Sequence, residues 1–252
     1  MKEARLLECR RAPCHAPAMT RYRHVAWDWN GTLLEDTHLV VDVMNRLLER
    51  RGLPRIDAES YRDLFAFPVR DYYAAVGFDF DQEPFEELAR EWVASLGDRW
   101  REARLRADAI PALDRIAAMG LRQSVVSASE QALLHRQAEH FEVASRFHSI
   151  VGIQDFHAAG KVEAARDWLA RLDERPEDIL LVGDTTHDVE VARDLGIDIV
   201  LVADGHQSRA SSRSHRRPRH RLAGRASRIS CDRHPGASGR PAQTLSIGTR
   251  AG

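Results

Sequence analysis

Residues 24–37, HVAWDWNGTLLEDT, constrain this 252-residue chain more than any other stretch. A short apolar run (Val25, Ala26, Trp27) stops on Asp28. Trp29, Asn30, Gly31 and Thr32 follow, and then Leu33 and Leu34. This is the pattern of a strand that delivers a carboxylate to its C-terminal tip, with a glycine turn just beyond. In open α/β sheets that tip is where ligands bind.

The chain after this turn is helical in pattern. Val40, Val43, Met44, Leu47 and Leu48 recur at helical spacing until Gly52 and Pro54 stop them. Further helices are expected near Ala58–Phe67, from Pro68, and from Pro84, where Phe85, Leu88, Ala89, Trp92, Val93 and Leu96 form one stripe. No strand-like alternation occurs between Glu35 and Ala107, so residues 37–107 read as a small helical cap over the strand tips. From Ile110 helices alternate with short apolar runs: Gln123–Val126, Ser149–Ile153, Ile179–Val182 and Ile199–Val202. Such alternation implies right-handed crossovers and a parallel sheet covered on both faces. The expected fold class is therefore α/β: a Rossmann-like parallel sheet of about five strands (residues 23–36 and 108–207) flanked by helices, with the cap inserted.

Both ends of the chain depart from this pattern. Residues 1–22 read as a flexible leader with charge throughout and no continuous apolar core, which excludes a secretory signal. No apolar run approaches the roughly 20 residues of a membrane helix, so a cytoplasmic location and no membrane partner are expected. Cys9, Cys14 and Cys231 lie outside the patterned region, an arrangement that fits neither a disulfide framework nor a cysteine nucleophile. Cys9, Cys14 and His15 have no second ligand pair nearby and read as incidental rather than metal-binding. The formal net charge of −1 hides a split, because residues 209–252 hold eleven arginines and a single acid, Asp232. Residues 208–252 have no Phe, Trp, Tyr or Val and read as a disordered Arg-rich tail. Its Arg, Ala, Gly, Pro, Ser and His bias also matches out-of-frame translation of GC-rich coding sequence, with the frame changing near Gln207. A genuine basic tail of this kind would contact nucleic acid only through phosphates, since it lacks aromatic side chains for stacking. The oligomeric state is not legible.

Four groups are expected at strand or loop ends on one side of the sheet: Asp28 with its turn, Ser127, Lys161, and the Asp184/Asp188 pair. A carboxylate can attack phosphorus or carbon and form a covalent intermediate. A hydroxyl and an ammonium can hold phosphoryl oxygens. Crowded carboxylates repel one another unless a cation such as Mg²⁺ sits among them. The motifs DWNGT (28–32), VVS (125–127), Lys161 in AAGKVEAA, and GDTTHD (183–188) resemble, in family order, those of the haloacid-dehalogenase-like hydrolase superfamily near its phosphoglycolate-phosphatase-like branch. The resemblance covers roughly residues 24–208.

The resemblance implies that Asp28 is the nucleophile and that the Asn30 backbone carbonyl, with Asp28, Asp184 and Asp188, serves a Mg²⁺ site. It further implies that Gly31, Thr32 and Ser127 bind the phosphoryl group and that Lys161 neutralises its charge. The implied substrate is a small phosphate monoester, hydrolysed through an aspartyl-phosphate. The sequence departs from the family at Asn30, where typical members carry the aspartate that protonates the leaving group and then activates water. An amide can donate N–H groups there but cannot transfer a proton. Loss of general acid–base catalysis typically costs ~10²–10⁴-fold, so the expected enzyme is slow or favours good leaving groups such as aryl or acyl phosphates. A phosphate-binding pseudo-enzyme and a nucleic-acid binder are the alternatives. A phosphonatase would need a cap lysine, and the chain holds only Lys2 and Lys161. Asn30 and the Asp184/Asp188 pair speak against a dehalogenase.

His187 and His38 could each supply the missing proton, although both are expected to be solvent-facing. His157 is expected to be an exposed surface residue. Trp29 is expected to pack under the cap. Which of Arg62, Arg70, Tyr72 and Tyr73 face the strand tips is not legible.

Overall fold

The computed structural model describes residues 21–154 and 160–208. Residues 1–20 of the leader with Cys9, Cys14 and His15, the arginine-rich stretch 209–252 with Cys231, and His157 lie outside the described residues.

Five parallel strands form the sheet: β1 (His24–Trp27), β4 (Arg122–Glu130), β5 (Ser149–Ile153), β6 (Ile179–Gly183) and β7 (Asp198–Leu201). Their spatial order is β5-β4-β1-β6-β7, which puts β1 in the centre. Because the sheet is covered on both sides, the strands are apolar on both sides and yet still obey a period of two. Val25, Trp27 and Val125 point into one apolar cluster with Leu113 of α5 (Ala109–Ala118) and Leu134 of α6 (Gln131–His140). Ala26, Val126 and Leu181 point into the other, with Ala165 and Trp168 of α7 (Gly160–Ala170) and Val191 of α8 (Thr186–Leu195).

Between β1 and α5 stand α1 (Thr37–Arg50), α2 (Ala58–Leu64), α3 (Val69–Ala75) and α4 (Phe85–Leu96). They bury a third cluster of their own, including Leu47, Tyr61, Tyr72 and Leu88. The stripe read on α4 is mostly right, but Val93 is exposed. Two details differ from the sequence reading. A two-residue antiparallel ribbon, β2 (Leu34–Glu35) with β3 (Arg104–Leu105), closes the base of the helical insertion. Two-residue strands are too short to show any alternation, so this ribbon left no pattern to read. The second strand of the sheet also does not end at Val126 but continues to Glu130 across a register shift.

Among the described residues no helix is long and apolar enough to cross a membrane.

At the far end of β1, His24 is fully buried, with Nε2 2.8 Å from Ser124 Oγ and Nδ1 3.3 Å from Glu174 Oε1. Burial pushes its pKa down from 6.5, against the pull of Glu174. The unfolded chain therefore takes up a proton below about pH 6.5 that the folded chain refuses, and stability falls as pH drops through that value. Melting temperatures across this range are expected to decline on acidification. His24→Gln is expected to flatten the decline, and an unchanged slope would assign it to other groups.

Candidate active site

The central position of β1 makes its tip the meeting point of every neighbouring strand end. Trp27 is level with Val125 on one side and Val182 on the other, and the Asp28 N–H is held by Val182 O at 2.8 Å. Lys161, near the start of α7, extends its ammonium into this point. Its Nζ lies 2.5 Å from Asp28 Oδ1 and 2.6 Å from Asp188 Oδ1. The other oxygen of Asp188 accepts from Thr185 N at 3.0 Å and Thr185 Oγ1 at 2.7 Å, closing a capping box on α8. Asp188 thus anchors both the helix start and the lysine. Asp184, fully buried, accepts from Thr32 Oγ1 at 3.0 Å and from the His206 N–H at 2.6 Å.

The turn after β1 admits only glycine at position 31. Its φ is +73°, and a Cβ there would lie 2.4 Å from Asp184 Oδ2. Gly205 is required for a similar reason, since a Cβ would come within 2.3 Å of the same oxygen. Two segments far apart in sequence therefore bring bare backbone against one carboxylate.

One ligand atom from each of Asp28, Asp184 and Asp188 lies within 4.8 Å of the others. Among the described residues Lys161 is the one side-chain cation bonded to this trio, so ionising all three carboxyls would leave the group with excess negative charge. Burial, Asp188 and Asp184 push the Asp28 carboxyl up to about 8 in spite of Lys161. Burial likewise raises Asp184. Burial also works against the charged forms of Lys161 and Asp188, but their mutual attraction wins, holding the lysine charged and the Asp188 carboxyl low. Hard oxygen donors with surplus negative charge match what Mg²⁺ prefers, so the residues fit that ion.

The sequence-expected residues Asp28, Thr32, Lys161, Asp184 and Asp188 are joined directly. Ser127 is 2 % exposed, and its hydroxyl reaches Ser129 Oγ at 3.2 Å. Ser129 in turn donates to Asn30 Oδ1 at 2.6 Å. The Asn30 amide is not left loose at the turn, because its Nδ2 donates to Asp36 Oδ2 at 2.7 Å.

Several expectations need correction. His187 is buried rather than solvent-facing, because the α2–α3 connection lies over the first turn of α8. Phe67 stacks on its ring at 4.6 Å, and Nδ1 lies 3.1 Å from Glu190. His38 is exposed, as expected. Trp29 packs in the sheet cluster rather than under the insertion, donating from Nε1 to Gln137 Oε1 of α6 at 2.9 Å. Tyr72 and Tyr73 are consumed by the insertion's own core, and Arg70 lies over the Phe80 ring. Arg62 donates to Gly205 O at 3.0 Å.

Two buried residues, Asp36 and His206, and the partly buried Ser129 join the site without a motif to mark them. Asp36 Oδ1 accepts from Gly31 N at 3.3 Å and lies 3.0 Å from His206 Nε2. Burial opposes ionisation of both members of that pair. Their attraction overrides it, holding Asp36 low and lifting His206 to about 9.

A family model described as haloacid dehalogenase-like hydrolase matches residues 25–202. Tyrosine-protein kinase PtkA of Mycobacterium tuberculosis is 28% identical over 184 residues, which is 72% of this chain and 62% of that protein. The chain thus spans less than two thirds of that relative's length. Its solved structure superimposes with a TM-score of 0.67 at 25% identity, covering 83% of this chain and 95% of that one. The N-acetylmuramic acid 6-phosphate phosphatase of Pseudomonas aeruginosa is 26% identical over 190 residues, 74% of this chain and 84% of that protein.

Proposed function

The chain belongs to the haloacid dehalogenase-like hydrolase family, and from that premise we propose that it hydrolyses a small phosphate monoester through an aspartyl-phosphate on Asp28. One observation carries this reading. A lysine is bonded at 2.5 Å to a buried carboxylate at the strand tip, with Asp184 and Asp188 beside it. In this reading an Asp28 oxygen attacks phosphorus, and the bond from phosphorus to the leaving oxygen breaks. Water then attacks the same phosphorus and the carboxylate departs. Lys161 neutralises charge on nucleophile and phosphoryl group, while the Thr32 and Ser127 hydroxyls and the Gly31 turn supply hydrogen bonds. Asp28, Asp184 and the Asn30 carbonyl would hold Mg²⁺, with Asp188 acting directly or through water. Bound there, the ion supplies Lewis-acid neutralisation of the phosphoryl oxygens.

Asn30 sets the rate in this reading. It offers an N–H to the leaving oxygen but no proton, so turnover is slow on alkyl phosphates and better on substrates whose leaving group departs unprotonated. The insertion 37–107 acts as a cap that excludes water and touches the leaving group. The test is release of a chromogenic phenol from an aryl phosphate with Mg²⁺ present. Release is expected to stop with EDTA and return with Mg²⁺. Release indifferent to EDTA, or none from a panel of aryl, acyl and alkyl phosphates, would reject the phosphatase reading. Phosphate binding without any turnover would instead indicate the pseudo-enzyme.

Loading the metal has a proton cost. Because burial and the neighbouring carboxylates raise the Asp28 pKa, Mg²⁺ competes with a proton there, and ligand deprotonation makes affinity pH-dependent. The apparent affinity is expected to rise with pH, by up to about tenfold per unit, until Asp28 is ionised and to level off beyond that. Calorimetric titrations at several pH values measure this, and a flat profile would show that Asp28 is already ionised without the metal.

A further inference from the structure

A second polar chain lies behind the nucleophile, and the reaction as written makes no use of most of it. From Ser129, bonded to Asn30 Oδ1, it passes through the Asn30 amide to Asp36. It then runs from Asp36 to His206 Nε2, and from His206 Nδ1 to the Tyr61 hydroxyl of α2 at 2.7 Å. Asp36, His206 and Tyr61 are all buried. An ion pair buried at this depth is a weak source of stability, since apolar residues of similar volume would often do as well. Such networks serve better to fix orientation.

Asp36 itself points to that use. It stands at the N-cap of α1, where an aspartate ordinarily accepts the free N–H groups of the first helical turn, yet its side chain makes no such bond. The carboxylate turns back to Asn30, Gly31 and His206 instead. An ionised carboxylate only accepts, so Asp36 dictates that the Nδ2 end of Asn30 faces it, and the Ser129 hydroxyl faces the carbonyl end. The amide cannot flip without setting its oxygen against a carboxylate. The His206 end of the chain belongs to the loop on which α2 is seated. Arg62 donates to Gly205 O, Ser208 N donates to Arg62 O at 3.1 Å, and Gln207 Nε2 donates to Phe65 O at 2.9 Å.

We propose that Asp36, His206 and Tyr61 are positioning residues that fix the Asn30 side chain as an N–H donor at the catalytic turn, and do so only while α2 is seated on the loop 203–208. The seating of the helical insertion is thereby transmitted to the Asn30 side chain. The kinetic consequence rests on the phosphatase reading; the orientation of Asn30 does not.

Tyr61→Phe deletes one hydroxyl and keeps the ring among Phe65 and Tyr72, and His206→Gln is the second variant. Each is expected to lower kcat on an aryl phosphate by about five- to tenfold, the worth of one hydrogen bond, with KM nearly unchanged. In an Asn30→Ala background the same substitutions are expected to change kcat by less than about twofold, because residues acting through one another are not additive. Equal losses in both backgrounds would overturn the proposal, as would a lower melting temperature with unchanged kcat. The side-chain amide protons of Asn30, followed by NMR without substrate, give a readout independent of turnover. They are expected to shift and exchange faster in Tyr61→Phe while the β1 backbone amides hold. Unmoved Asn30 signals would overturn the proposal even if the wild type were active. Moved signals in a protein with no turnover would leave the coupling standing and reject the phosphatase reading alone.

Discussion

Asp28→Asn is expected to lower kcat on the order of 10⁴-fold or more while leaving the fold intact, because on the proposed phosphatase reading it removes the nucleophile and little else. The second half of that expectation follows from the electrostatics. Burial and two neighbouring carboxylates favour the protonated form of Asp28 in the metal-free protein, against the pull of Lys161. An asparagine is close in shape and charge to that form. Lys161 loses one partner but keeps Asp188 at 2.6 Å. The stability change is therefore expected to stay within about 1 kcal/mol, well short of the 3–5 kcal/mol lost when a buried ion pair is broken outright. Denaturant melts and steady-state assays on the same preparation measure both halves. Turnover surviving in the folded variant would mean that the phosphoryl group does not pass through this carboxylate.

The opposite effect is expected of Asn30→Asp. It should raise kcat on alkyl phosphates by about 10²–10³-fold, within the usual range for a general acid–base, and change aryl phosphates far less. The new carboxyl would stand where Nδ2 now lies, 2.7 Å from Asp36 Oδ2. Two carboxylates at that separation share one proton, so the pair titrates as a unit and one member stays protonated near neutral pH. That is the state a general acid requires. The bond from the Ser129 hydroxyl survives, since either oxygen can accept it. The alkyl-to-aryl rate ratio is the decisive measurement. If it does not move, proton transfer at position 30 does not limit the reaction.

These two expectations rest on residues that the sequence displays openly. Asp28, Thr32, Lys161 and the Asp184/Asp188 pair stand in short motifs at the ends of apolar runs, and a strand tip is a place that local pattern can locate. The parallel sheet of about five strands is legible in the same alternation, whereas its spatial order, with β1 in the centre, is a tertiary outcome. Asp36 was in plain view within residues 24–37, but nothing local distinguishes a capping aspartate from one that turns back toward a catalytic turn. Ser129 lies within the register shift of β4, between Val126 and Glu130, where the apolar pattern has already ended. His206 depends on the chain returning after β7 to a carboxylate 22 residues earlier, a tertiary event with no periodicity. Its one local sign is the Asp204-Gly205 pair directly before it, which marks a bend and nothing more. His187 was misplaced for a related reason: what covers it is Phe67, more than a hundred residues away.

The helical insertion buries its own apolar cluster, separate from the two that sandwich the sheet. Apolar burial is the main source of stability in each, so drift in the sequence of α2–α4 draws on a different reserve from drift around β1. Mutations in the insertion can therefore accumulate without eroding the framework that holds Asp28. Tyr61 is the exception, since it belongs to the insertion's core and also touches His206. Variation is expected to be tolerated broadly across α3 and α4 and narrowly at that one side chain, a pattern that a deep mutational scan under selection for activity would resolve.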